Sequence, residues 1–289
     1  MIQLKVALLT NYNIGEKSAA AMTVAEKLGK YDCEILVPAN YKDRIERMYR
    51  KRPKVKFENI HEIYETVEMI IVLGGDGTIM DAACKAAYRA VPVLGINLGR
   101  LGYLAELEMS ELEFLDDVMK GKYTVEKKTM LKADIIGKNR EPQTAFALNE
   151  AVISNGSIAR IIDLQLSEGG REVNTYRADG LIVCTPTGST AYSMSAGGPI
   201  TDPRLSCFCV TPVCPHMMNA RPILFPDDVV LEVKHICKRE KTLYLTLDGR
   251  TNYELLKNDV VKISKSELYA SIIHVKDRSF YEKLRYKFH

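Results

Sequence analysis

Apolar runs and helical repeats take turns along the first hundred residues. "KVALLT" (5–10), "CEILVP" (33–38), "VEMIIVLGG" (67–75) and "VPVLGINL" (91–98) are short and largely apolar. That is the pattern of strands in a sheet covered on both faces. Between them, Glu16–Lys30 repeats Ala21, Val24, Ala25 and Leu28 on one helical face, and "YKDRIERMYRKR" (41–52) reads as a charged helix. A further helix is predicted from Thr78 to about Arg89. Strand and helix in alternation predict a doubly wound, Rossmann-like α/β domain with its ligands at the carboxyl ends of the strands.

After a helix at "SELEFLDDVMKGK" (110–122) the pattern changes to period two. "TMLKADIIG", "TAFALNEAVIS", "RIIDLQLSE", "DGLIVCTP", "DDVVLEVK", "TLYLTLDG" and "VVKIS" follow one another between turn residues. They predict an antiparallel, β-sandwich-like domain, interrupted by a short helix over Thr187–Ala196. "RSFYEKLRYKFH" at the end is amphipathic and is read as a tail returning to the first domain. The expected division is 1–105 plus a tail of about 270–289 for the α/β domain, and 106–269 for the β-rich domain.

Composition narrows the class. A chain of 289 residues with 46% hydrophobic residues can bury two cores, and a net charge of +3 is too small for a nucleic-acid footprint. Seven cysteines, an odd number spread along the chain, fit a reducing compartment better than a disulfide framework. No run approaches the roughly 20 apolar residues of a membrane helix. "MIQLKVALLTNYN" reads as a first strand rather than a cleaved leader. A soluble, cytoplasmic protein is expected, with no membrane or nucleic-acid partner.

Candidate chemistry begins at "IIVLGGDGTIMDAA" (70–83), where Asp76 stands among Gly74, Gly75 and Gly77 between a strand and a helix. G-x-x-x-x-G-K-[ST] is absent, and Met80 replaces the third glycine of G-x-G-x-x-G. The strand–turn–helix order still offers free N–H groups to an anion. A carboxylate there can orient a hydroxyl for phosphoryl transfer; an Asx turn alone would need the same residue. "LNEAV" sets Asn149 and Glu150 within an apolar segment, so at least one polar side chain faces inward or lines a cleft. "TPTGSTAYSMSAGGP" (185–199) is a hydroxyl-rich entry to a helix, beyond what a single cap requires. Cys207, Cys209, Cys214 and His216 in "CFCVTPVCPH" could be soft metal ligands, but Cys-x-Cys is not the usual zinc spacing, and Cys207 and Cys209, on one face of a strand, read as core thiols. "HEIYE" at His61 lacks the second histidine of a zinc protease helix and reads as a surface helix or loop.

"GGDGT", "NEAV" and "DGLIVCTPTGSTAYSMSAGGP", in this order, resemble the bacterial NAD kinase family along essentially the whole chain. The resemblance implies transfer of the terminal phosphate of ATP, or of polyphosphate, to the 2′-hydroxyl of the adenosine ribose of NAD. Asp76 then resembles the catalytic base, with Gly77 beside it. Asn149 and Glu150 resemble the pair holding ribose hydroxyls and adenine-side groups. Thr190, Ala191, Tyr192 and Ser195 resemble adenine and ribose contacts. Arg177 and Asp179 resemble nicotinamide-end contacts made across a subunit boundary. Arg160 falls where relatives use a basic or polar contact, and Arg250 where many carry Gln. Asp81 departs from a family position that is often Arg or Lys near the phosphates. A divalent ion, Mg²⁺ or Mn²⁺, is expected with ATP, and a homodimer or homotetramer is implied.

Two other classes share parts of this pattern. A lipid kinase would share "GGDGT" but would show a membrane-facing segment and would not need the 185–199 run. A non-enzymatic NAD-binding regulator would keep the nucleotide contacts without turnover; an intact Asp76 speaks against it. A nicotinamide oxidoreductase lacks its glycine fingerprint here.

Overall fold

The computed structural model describes residues 3–49, 53–99, 102–138, 140–156, 161–236 and 242–288. Two compact units divide the chain: Met1–Lys127 with Ala270–His289, and Lys128–Tyr269. The first division falls at Lys127, beyond the boundary expected at residue 105. The reason lies in residues 115–119, whose Leu115 and Val118 are buried in the core of the first unit.

The first unit contains β1 (Leu4–Leu9), α1 (Gly15–Leu28), β2 (Cys33–Pro38), α2 (Lys42–Met48), β3 (Lys56–Glu58), α3 (Ile60–Thr66), β4 (Met69–Gly74), α4 (Asp76–Ala86), β5 (Val93–Asn97), β6 (Leu107–Glu108) and α5 (Leu115–Met119). Its strands pair in parallel in the order β3-β2-β1-β4-β5. Chain order reverses between β1 and β4, and such a switch point opens a crevice beyond the carboxyl ends of the strands. Thr10 closes its floor, donating its hydroxyl to Leu73 O at 2.7 Å. β4 is buried at every position, as its unbroken apolar run predicts. Leu8, Leu28, Ile45, Ile71 and Leu73 have no exposed surface in this core. Burial of each contributes roughly 1.5–3 kcal/mol. β3 is not a separate element in the sequence pattern, since the strand has only three residues, too few to show a period; of the two readings of "HEIYE", the helix is the one formed, as α3.

The chain then forms β7 (Thr124–Ile136), β8 (Gln143–Ala147), β9 (Glu150–Asn155), β10 (Ile162–Glu168), β11 (Arg171–Ala178), β12 (Gly180–Cys184), α6 (Tyr192–Ser195), β13 (Cys207–Val213), β14 (Ile223–Pro226), β15 (Leu231–His235), β16 (Leu243–Leu247), β17 (Thr251–Leu255), β18 (Val260–His274) and α7 (Phe280–Phe288). In the second unit one antiparallel sheet runs β14-β13-β12-β9-β16-β17. A second group joins β11, β10, β15 and the start of β18, and β7 pairs with β8. Inward residues of both groups, among them Leu131, Leu164, Leu181, Phe208 and Leu245, share one core. β18 leaves this unit, and its Ile272 pairs with Val93 of β5 in the first.

One predicted strand is two. "TAFALNEAVIS" breaks after Ala147: β8 pairs with β7, whereas β9 pairs with β12 and β16. The polar pair Asn149–Glu150 therefore sits at a change of sheet and not inside a continuous strand.

Candidate active site

In the first unit, Gly75 caps α4 with extended backbone, and Asp76 is its first helical residue, two positions earlier than the periodicity placed the start. Gly75 O accepts from the N–H groups of Thr78 and Ile79. The carboxylate of Asp76 is held from the other side: Oδ2 accepts from Tyr103 N–H at 2.8 Å and Oδ1 from Leu104 N–H at 3.1 Å. Gly102 permits this approach, since a Cβ there would lie 1.7 Å from Asp76 Oδ1. The acid is thus half-buried, fixed by backbone donors at a helix start that also favours negative charge. Its two anchoring donors are not singled out in the sequence, since they lie beyond the predicted strand "VPVLGINL", which ends at Leu98.

A cleft of about 470 Å³ runs along the carboxyl ends of β1, β2 and β4 beside this turn. Asn11, Tyr41, Asn59, Tyr64, Thr78 and Asp81 are among its walls. Asp81 is matched by Lys85 one turn on, at 2.9 Å, with both side chains partly exposed. The cation one turn along α4 offsets a carboxylate where a basic residue was expected.

In the second unit, three segments box the Leu148–Glu150 turn. Asp248, after β16, accepts from Leu148 N–H at 2.9 Å, Asn149 N–H at 2.8 Å and Glu150 N–H at 3.1 Å, while its own N–H donates to Glu150 O at 3.0 Å. Thr185 donates its hydroxyl to Leu148 O at 2.6 Å and its N–H to Asn149 O at 2.9 Å. Gly188 closes against Asn149, where a Cβ would stand 2.1 Å from the carbonyl oxygen. α6 completes the box through the Tyr192 N–H, which donates to Glu150.

Glu150 is 5% exposed, and its Oε2 has no hydrogen-bond partner among the described residues. Burial first, then the charge of Asp248, push its carboxyl up to about 7; the Tyr192 N–H works the other way.

The hydroxyl-rich run divides its work. Thr185 and Ser189 are buried and spent internally: Ser189 donates to Pro186 O at 2.7 Å and accepts from Thr201 N–H at 3.0 Å. Thr190 is half-buried, its hydroxyl 3.3 Å from Thr187 O. Ala191 is half-buried, and Tyr192 and Ser195 are exposed. Asn149 and Glu150 are thus joined through Asp248, and Tyr192 is joined to Glu150 by its own N–H. Arg250, exposed, lies two residues after Asp248. Arg177 and Asp179 are elsewhere: they precede β12, whose far end carries Cys184 opposite Glu150. Five residues of strand separate Asp179 from that end, about 16 Å. Arg160 lies outside the described residues.

Cys209 is buried directly opposite Cys184, Cys207 is half-buried and Cys214 is exposed. The core-thiol reading holds fully for Cys209 and in part for Cys207. No group of three or more His, Cys, Asp or Glu side chains among the described residues is placed to hold a metal ion.

Comparison with known proteins decides the family. Residues 6–123 match the ATP-NAD kinase N-terminal domain, and residues 148–275 the ATP-NAD kinase C-terminal domain. The chain belongs to the NAD kinase family. It is 42% identical over 234 residues to the NAD kinase of Carboxydothermus hydrogenoformans, covering 81% of this chain and 83% of that one. It is 37% identical over 268 residues to the NAD kinase of Citrifermentans bemidjiense, covering 92% and 93%. An NAD kinase from Archaeoglobus fulgidus solved in complex with ATP superposes with a TM-score of 0.71 at 26% identity, over 98% of this chain and 99% of that one. Yeast NADH kinase complexed with NADH shares the fold, with a TM-score of 0.89 at 22% identity over 98% and 86%. NAD kinases are enzymes that phosphorylate NAD, so neither the lipid kinase nor the regulator accounts for both matched domains. No described helix is long and apolar enough to cross a membrane.

Proposed function

We propose that this chain transfers the terminal phosphate of ATP to the 2′-hydroxyl of the adenosine ribose of NAD, giving NADP and ADP, with Asp76 as proton acceptor. One observation carries the assignment: the Asp76 carboxylate is pinned by two backbone N–H groups at the start of α4. Such an acid orients a hydroxyl and takes its proton late, as suits a loose phosphoryl transition state with little activation of the nucleophile. The amide groups at the start of α4, with Gly77 among them, offer partial positive charge to a phosphate. The cleft beside Thr78 has the size and polar walls for the donor nucleotide, which arrives as its Mg²⁺ or Mn²⁺ complex because the glycine turn brings no lysine. Polyphosphate would meet the same turn.

In the second unit, Asn149 and Glu150 hold the adenosine side of NAD, with Thr190, Ala191, Tyr192 and Ser195 beside them, and Arg160 and Arg250 as flanking cations. Arg177 and Asp179 lie a strand's length from that turn. Their distance supports a role toward the nicotinamide end of NAD bound to another protomer of a homodimer or homotetramer. The described cysteines are all thiols, which suits work in the cytoplasm.

The test is NADP formation by the purified protein with NAD, ATP and Mg²⁺, beside Asp76→Asn. The variant should fold normally and lose on the order of 10²–10⁴-fold in kcat. A folded wild type that forms no NADP with ATP or with polyphosphate overturns the proposal.

A further inference from the structure

Two carboxylates act on each other at the Leu148–Glu150 turn, and they are furnished unequally with donors. Asp248 accepts from three consecutive backbone N–H groups. It adopts φ +52°, a left-handed conformation unusual for a residue other than glycine. Strain of this kind persists where the surroundings demand it. Glu150 has no comparable set: its Oε2 is buried and unpartnered among the described residues.

Among the described residues, the groups that act on Glu150 include no cation. Asp248 faces it from the turn after β16 and Cys184 from β12 directly opposite, with Cys209 beyond on β13. α6 offers only the Tyr192 N–H. Two close carboxylates do not both ionise readily, and the one with hydrogen-bond donors keeps the charge. The other takes a proton, which changes a carboxyl from acceptor to donor.

From this asymmetry we infer that Asp248 is a positioning residue for nucleoside recognition, fixing Asn149 and Glu150 in place and making Glu150 a hydrogen-bond donor to the ligand. The ligand atom it fits is a neutral acceptor, a ribose oxygen or a ring nitrogen of a purine nucleoside. The inference rests on the proposed NAD site but is read by binding rather than turnover, so the two can fail separately.

The experiment is calorimetric titration of NAD into the full-length protein from about pH 6 to about pH 8.5, with Glu150→Gln, Glu150→Ala and Asp248→Asn. Wild-type Kd should rise about tenfold as pH passes through neutrality, since the donated proton is lost. Glu150→Gln keeps an N–H donor, so it should bind within a few-fold of the wild type at the low-pH end and lose the pH dependence. Asp248→Asn should weaken binding at neutral pH by about tenfold or more and move the pH-dependent step downward. Adding Glu150→Gln to Asp248→Asn should restore part of the affinity. A folded Glu150→Gln that binds as poorly as Glu150→Ala, or a wild-type Kd flat across this range, overturns the inference. Glu150→Gln alone tests the donor role if Asp248→Asn does not fold.

Discussion

His274 Nδ1 lies 2.9 Å from Glu106 Oε2. Its Nε2 lies 2.8 Å from Glu126 Oε2. With a carboxylate at each nitrogen, the ring is satisfied only when both nitrogens carry protons, that is, as the cation. Glu106 is buried and also accepts from the N–H groups of Val275 and Lys276 and from Lys283 at 3.2 Å. This cluster ties the segment that follows β18, and α7 with it, to the rest of the first unit.

The clamp predicts a bell-shaped stability profile. Burial alone would lower the His274 pKa, but the hydrogen bonds to Glu106 and Glu126 prevail and raise it. A raised pKa means stability present below the unfolded value, about 6.5, and lost as pH rises through the folded one. Burial would raise Glu106, but His274, Lys283 and the Lys276 N–H bring it down to about 2. Its stabilisation is present above the unfolded value and is lost as pH falls toward 2. Urea midpoints should therefore peak between about pH 4.5 and 6.5. Glu106→Gln should cost about 2–4 kcal/mol in that window and flatten the acid limb.

Gly102→Ala should inactivate the enzyme without unfolding it. The added methyl has no room beside Asp76 Oδ1, so the carboxylate or the loop carrying Tyr103 and Leu104 must shift. A displacement near 1 Å at the reacting group is worth about 10²-fold. NADP formation should fall by at least that factor while the far-ultraviolet circular dichroism stays unchanged.

Thr185→Val keeps shape and removes the hydroxyl that bridges Leu148 O and the Gly188 N–H. Leaving these buried groups unpaired should cost about 1–3 kcal/mol in unfolding free energy. Because the same bonds hold the Asn149 turn, KM for NAD should rise more than kcat falls. Equal effects on both would place the hydroxyl in stability alone.

Local pattern carried much of this molecule. β4 and the turn after it follow from an unbroken apolar run meeting glycines, and β12 followed by a hydroxyl-rich helix entry follows equally from composition. Neither needs a distant partner to be recognised. The break between β8 and β9 does: it is set by Asp248, 98 to 100 positions away, which no periodicity registers. The same holds for the anchoring of Asp76 by Tyr103 and Leu104 across 27 and 28 residues. Spacing named the acid and the polar pair but was silent on what holds them. The Lys127 boundary was hidden for a similar reason, since whether Leu115 and Val118 pack into one core or another is not a property of their own helix.

The passage of β18 from one unit into the other has a consequence for how the protein is made. Lys128–Tyr269 is an unbroken stretch of chain, whereas the first unit needs residues from both ends. On the ribosome, which releases a chain from its N-terminus onward, β1 to β5 emerge first but lack the Ile272 pairing on β5 and the Glu106 contacts of His274 and Lys283. Contacts of that sequence separation form late. The half carrying Glu150 and Asp248 can be finished while the half carrying Asp76 is still open, and the last twenty residues, once synthesised, close it.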